Sequence, residues 1–265
     1  CRDNNMIIKN ILFEKGSLDT MIDRLSKTMD AMDKEWSKKI EPASQSQIQT
    51  LSEILKSYNR GIPLSYLLFL KNMGKSDNGL LEQEWDGATE VSLDEILDDD
   101  YYDECADLLP NDFLPFSFHW TEAILSLKLT EENNTPVYYC QDLFSGSFEN
   151  YLFQMAFRKV ENSQFLYQAH CATSRKDFRD FLSGELGQSI PWTKPMELIE
   201  SILKPYGLQK AWFSDDVRFC GVSSKYIISV DLHWAFNIAI SSDEHIVLQN
   251  MKESLTSLFG DLIHW

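Results

Sequence analysis

The chain has 265 residues, 43% hydrophobic and 12% aromatic, enough apolar material for one large domain or two ordinary ones. No apolar run approaches membrane-spanning length. Its 41 Asp and Glu against 24 Lys and Arg give a formal net charge of −17; this argues against a nucleic-acid binder, which must neutralise phosphates, and favours a basic protein partner.

Residues 6–13 are apolar enough for a short strand or the start of a helix. Gly16 and Ser17 then open a helix in which Leu18, Met21, Ile22, Leu25, Met29 and Met32 recur every three or four residues, with Trp36 closing the apolar face. Residues 1–40 are read as a helical segment packing on the domain that follows. Ser44 and Gln47 stand at capping-box spacing, and Ile48, Leu51 and Leu55 fall on one face, predicting an amphipathic helix over 44–57. Asn59, Arg60 and Gly61 break it, and Pro63 restarts a second helix near its first position. Leu64, Tyr66, Leu67, Leu68, Phe69 and Leu70 make that helix apolar almost all round, so it should be buried, with Gly74 as its stop.

Between Lys75 and Lys128 stand fifteen acids and no base, which accounts for nearly all of the net charge. Trp85, Val91, Leu93, Ile96, Leu97, Tyr101 and Tyr102 are interleaved with them, which disfavours a disordered tail. Ser92 and Glu95 form a second capping-box pair, and Leu93, Ile96 and Leu97 are placed to pack inward. Three readings stay open: a protein-binding surface, a solvated face, and a metal site. The EF-hand spacing is missing from the third.

From residue 111 the pattern turns to short strands: FLPFSFHW, AILSLKL and PVYYC, the last two joined by a polar turn at 131–135. In AILSLKL, Leu125, Leu127 and Leu129 alternate with Ile124, Ser126 and Lys128, predicting one buried and one wet face. Ser147 then caps a helix carrying Phe148, Tyr151, Leu152, Met155, Ala156 and Phe157, expected to cover the sheet. Residues 161–194 are read as a helical connector, with a helix opening at Ser174. Residues 195–265 follow as a compact α-β-β-β-β-α domain. The fold class is therefore α+β, with an antiparallel first sheet at 41–160.

The five cysteines, Cys1, Cys105, Cys140, Cys171 and Cys220, are odd in number and form no CxxC pair, so reduced thiols are expected and zinc has no support. The neighbours His170 and Cys171 point to different faces whether the segment is strand or helix, which argues against a catalytic pair. No P-loop, GxSxG, HExxH or GxGxxG occurs. No enzyme activity, cofactor or metal is expected, and no nucleic acid or membrane as partner. No secretory apolar segment accompanies Cys1; lipidation of that residue stays open, while the cytoplasm is the expected location.

Ile62, Pro63, Tyr66, Phe69, Leu70 and Gly74 together resemble the signature of the SUKH superfamily, which includes the yeast cell-wall synthesis regulator and many bacterial immunity proteins. The glycine pair often seen at the end of that motif is reduced here to Met73-Gly74. FLPF at 113–116, PVYYC at 136–140 and SFENYL at 147–152 resemble the family's middle strand, late strand and closing helix, in order, so the likeness covers residues 41–160. It implies a SUKH-like domain and an immunity protein that occludes a cognate bacterial toxin. The acidic run fits a basic toxin such as a nuclease, its carboxylates standing in for phosphates. On that reading Asp94, Glu95, Asp98, Asp99, Asp100, Asp103 and Glu104 make the charged contacts, with Trp85, Tyr101 and Tyr102 as anchors. The family's yeast members imply an alternative, a regulatory scaffold without a toxin; an enzyme using a cleft between the two domains is a third reading.

Overall fold

The computed structural model describes residues 15–81, 93, 97, 112–119, 123–129, 133–139, 142–183, 195–233 and 235–265. They form an α+β fold with two antiparallel sheets, and the chain divides into two compact units, one of residues 16–156 and one of residues 157–265 together with Lys15. Among the described residues no helix is long and apolar enough to cross a membrane.

In the unit at 16–156, a turn of 3-10 helix at Leu18–Thr20 leads into α1 (Met21–Asp30). Met21, Leu25 and Met29 are buried on one face. The helix ends before Met32, and the buried Trp36 sits in a separate 3-10 turn, Trp36–Lys38. α2 (Gln45–Ser57) opens on the expected capping box, with Gln47 N donating to Ser44 Oγ at 3.2 Å and Ser44 N to Gln47 Oε1 at 2.7 Å. It ends at Ser57, and the chain leaves through Asn59, which takes a left-handed φ of +56° within the expected break at 59–61. α3 (Leu64–Met73) buries Tyr66, Phe69, Leu70 and Met73. Gly74 stops it, as expected, with a right-handed φ of −73°. A Cβ there would come within 2.7 Å of Leu70 O and 2.9 Å of Ala43 Cβ, so glycine is required by close approach.

The first sheet is a meander in the order β1 (Phe113–His119), β2 (Ala123–Lys128), β3 (Val137–Tyr139) and β4 (Asp142–Ser145). Leu125, Leu127 and Leu129 are buried as their alternation requires. Ser126, expected on a wet face, is buried as well: it lies in register between Pro115 and Tyr138, whose bulk shields a side chain of its size. β4 was not foreseen.

α4 (Phe148–Gln164) follows, with Asn150 N donating to the Oγ of Ser147 at 3.1 Å as an N-terminal cap. Phe148 is the hub of an aromatic cluster, its ring centroid 5.4 Å from Tyr66, 5.5 Å from Phe69 and 5.5 Å from Phe116. Beside it the buried Glu149 carboxylate accepts from Arg24 Nη2 at 2.5 Å and from Asn134 Nδ2 at 3.2 Å, fixing α1 and the turn before β3 to the start of α4.

The unit at 157–265 is built on a five-stranded sheet in the order β5 (Tyr167–Ser174), β9 (Ala235–Ser242), β8 (Tyr226–Asp231), β7 (Arg218–Val222) and β6 (Gln209–Lys210). β5 corrects the reading of 161–194 as a helical connector: a fifth strand comes from within it, before the helix that opens at Ser174, and pairs with β9 over eight residues. One face, carrying Cys171, Phe219, Val230 and Ile238, packs with α5 (Arg175–Ser183), α6 (Pro195–Leu203) and α7 (His245–Phe259) into a single apolar core. Phe178 of α5 stacks on Phe236 at 3.9 Å. The second half of α4 lies over part of the other face.

Candidate functional site

The ten residues expected to meet a partner, Trp85, Asp94, Glu95, Asp98, Asp99, Asp100, Tyr101, Tyr102, Asp103 and Glu104, lie outside the described residues, as does the second capping box. What the structure does describe is how the acidic run is tied to the fold at its ends. Glu41 and Ser76 form an isolated antiparallel bridge, Glu41 N donating to Ser76 O at 2.9 Å. The first acid, Asp77, is used structurally: its carboxylate accepts from Gly79 N at 2.9 Å and Leu81 N at 3.1 Å, closing a turn through left-handed Asn78 and Gly79. Trp36 Nε1 donates to Asn78 O at 3.3 Å, and Leu80 and Leu81 are buried behind that turn. Within the run Leu93 is buried and accepts at its carbonyl from Leu97 N at 3.0 Å, the bond of one helical turn. At the far end Asp112 O accepts from Leu129 N at 2.6 Å.

A second concentration of charge lies on the α4 side of the second sheet. Direct cross-strand partners share a face, so the register places Arg218 with Asp231 and Cys220 with Ser229. Arg218 Nε donates to Asp231 Oδ2 at 2.9 Å, and its Nη2 meets the same oxygen. Asp231 Oδ1 accepts from His233 N at 2.8 Å. Burial disfavours the Asp231 charge, but the adjacent Arg218 outweighs it and holds the carboxyl below the usual range. From α4, Glu161 reaches down to Ser229, whose hydroxyl lies 2.9 Å from Oε2 and 3.1 Å from Oε1. Burial raises Glu161 to about 7, against the opposing pull of Ser229, Arg158 and Arg218. Both described cysteines are buried, and burial pushes Cys171 up to about 11 and Cys220 well above the ordinary thiol value, so neither is a thiolate at neutral pH.

Comparison of the chain with known protein families, with characterised proteins and with solved structures finds no match.

The buried cluster is bonded within itself. Its ion pair is closed, its acid is bonded to a hydroxyl, and among the described residues no three His, Cys, Asp or Glu side chains gather as metal ligands. His170 and Cys171 lie on opposite faces of β5, His170 exposed and Cys171 buried. The sequence did carry a signal for the ion pair. Val222 and Ile227 flank a short turn, and counting outward in step from them sets Arg218 opposite Asp231.

Glu161 makes this cluster sensitive to pH. A carboxyl with a folded value of about 7, above its ordinary 4.5, binds more protons folded than unfolded across that interval. Stability therefore falls as pH rises from 4.5 to about 7. Glu161→Gln should match the wild type below that window and exceed it by on the order of 3 kcal/mol at pH 8, read from denaturation at both pH values.

Proposed function

We propose that the chain is a non-enzymatic immunity protein that binds and neutralises a cognate, basic bacterial toxin through the acidic run. The observation carrying this reading is that fifteen acids without a base are held between fixed points of the fold: the Asp77 turn at one end, the Asp112–Leu129 bond at the other, and the buried Leu93 between. Packed carboxylates repel one another, and a positively charged partner relieves that repulsion while long-range attraction speeds its capture. The SUKH-like layout over 41–160 belongs to the same proposal. It draws support from the chain order: a capped helix, the buried Tyr66–Phe69–Leu70 helix, a meander and a capped closing helix.

The test is capture of the toxin domain encoded beside this chain, at low and high salt. Binding should weaken as salt rises. Joint alanine replacement of Asp94, Glu95, Asp98, Asp99, Asp100, Asp103 and Glu104 should slow association about 10–10³-fold. Unchanged association would overturn the site. Capture of endogenous housekeeping proteins in place of a toxin would favour the scaffold alternative.

A further inference from the structure

A sheet edge invites pairing by another strand unless something blocks it, and the two sheets here present four edges. Three are blunted. β1 contains Pro115, which has no N–H to donate, and its register shifts between Pro115 and Ser117. β4 has four residues and begins with the exposed Asp142. β6 has two residues, both exposed, one of them Lys210. The fourth edge, β5, is different. It runs for eight residues without Pro, Gly or any Lys, Arg, Asp or Glu, and its register with β9 is unbroken. Among the described residues no backbone group pairs with its outer side. Gln168, His170, Ala172 and Ser174 are exposed, with Gln168 Nε2 donating to the Glu161 carbonyl of α4 at 2.8 Å.

We propose that β5 is a self-association edge, on which a second copy of this chain adds its own β5 antiparallel about a two-fold axis, joining two five-stranded sheets into one. Charge favours a second copy over a basic partner strand. β5 offers no carboxylate for a cation to meet, and self-pairing opposes no like charges. Residues 157–265 hold 11 Lys and Arg against 13 Asp and Glu, so the net charge of the chain resides mostly in the other unit. The pleat is also compatible. An axis at His170 or at Cys171 sets odd-numbered residues opposite odd-numbered ones, so Ala169, Cys171 and Thr173 stay on the core side of both copies. At the strand's entry Leu166 is 78% exposed and Ile246 64% exposed, beside Tyr167, whose ring lies 5.3 Å from His245.

The experiment is sedimentation equilibrium of the full chain at low and high salt, with amide exchange read over β5. The dimer, at twice 30.7 kDa, should gain on the monomer as salt screens the repulsion between two chains of −17 each. The pair His170→Lys and Ala172→Lys, both on the exposed face, should weaken association at least tenfold, restore fast exchange in β5 and leave the melting temperature unchanged at dilutions where the wild type is monomeric. A wild type monomeric at every concentration and salt overturns the proposal. So does a dimer that the lysine pair leaves intact, since its interface then lies elsewhere. Protection of β5 only when a basic toxin domain is added would assign the edge to a partner strand and equally overturn it. The expected salt response is opposite in sign to that of the acidic run, so the two readings fail separately.

Discussion

Phe148→Ala should destabilise the unit at 16–156 by about 3–5 kcal/mol, most of what a domain of ordinary stability possesses. Phe148 is fully buried and meets Tyr66, Phe69, Phe116 and Tyr151 from α3, β1 and its own helix, three of them edge to face or nearly so. Truncation removes the transfer energy of the ring and the quadrupolar preference of each pair, and leaves a cavity between elements that are far apart in sequence. Phe148→Leu refills most of the space but not the edge contacts, so its loss should be smaller. Denaturant titration followed by aromatic near-UV dichroism, which senses this cluster directly, measures both. A loss below about 1 kcal/mol for the alanine variant would mean that the cluster repacks.

Asp231→Ala should cost about 3–5 kcal/mol in the other unit, because it removes the carboxylate bonded to the Arg218 guanidinium, whose side chain is only 3% exposed. The loss follows from leaving a charge buried, more than from the attraction forfeited. The double variant Arg218→Met with Asp231→Leu should accordingly lie close to the wild type or above it. Urea denaturation of the single and double variants separates the two contributions. In the wild type, the part of stability that depends on this pair is present above the ordinary carboxylate range, because the Asp231 value is lowered in the fold. It is lost as pH falls through that lowered value, a direction opposite to the Glu161 effect.

The elements legible in the sequence are those whose signals are local. Ser44 with Gln47, and Ser147, announce helix starts because a cap is satisfied within three residues. α3 is legible because its apolar density leaves burial as the only solution. β5 was not legible as a strand: its core face is made of Ala169, Cys171 and Thr173, too small to stand out, and only pairing with β9 makes them core. β4 is short, and its first two residues are exposed, so no alternation marks it. Ser126 shows the same limit at one residue, since its burial is decided by neighbours on two other strands. The acidic run was legible from composition because it is a property of the chain, whereas the Glu161–Ser229 contact joins residues 68 apart. The positions of the ten predicted contact residues lie outside the described part of the fold.

Cys171 and Cys220 belong to strands of one sheet but point to its opposite faces, one toward the core with α5 to α7 and the other toward α4. Each thiol stays protonated while enclosed, and thiolate is the reactive form. Alkylation at either position therefore requires the surrounding strand to open first. Each face of the sheet thus carries a built-in chemical clock, one set by separation of the helices from the core, the other by release of the second half of α4.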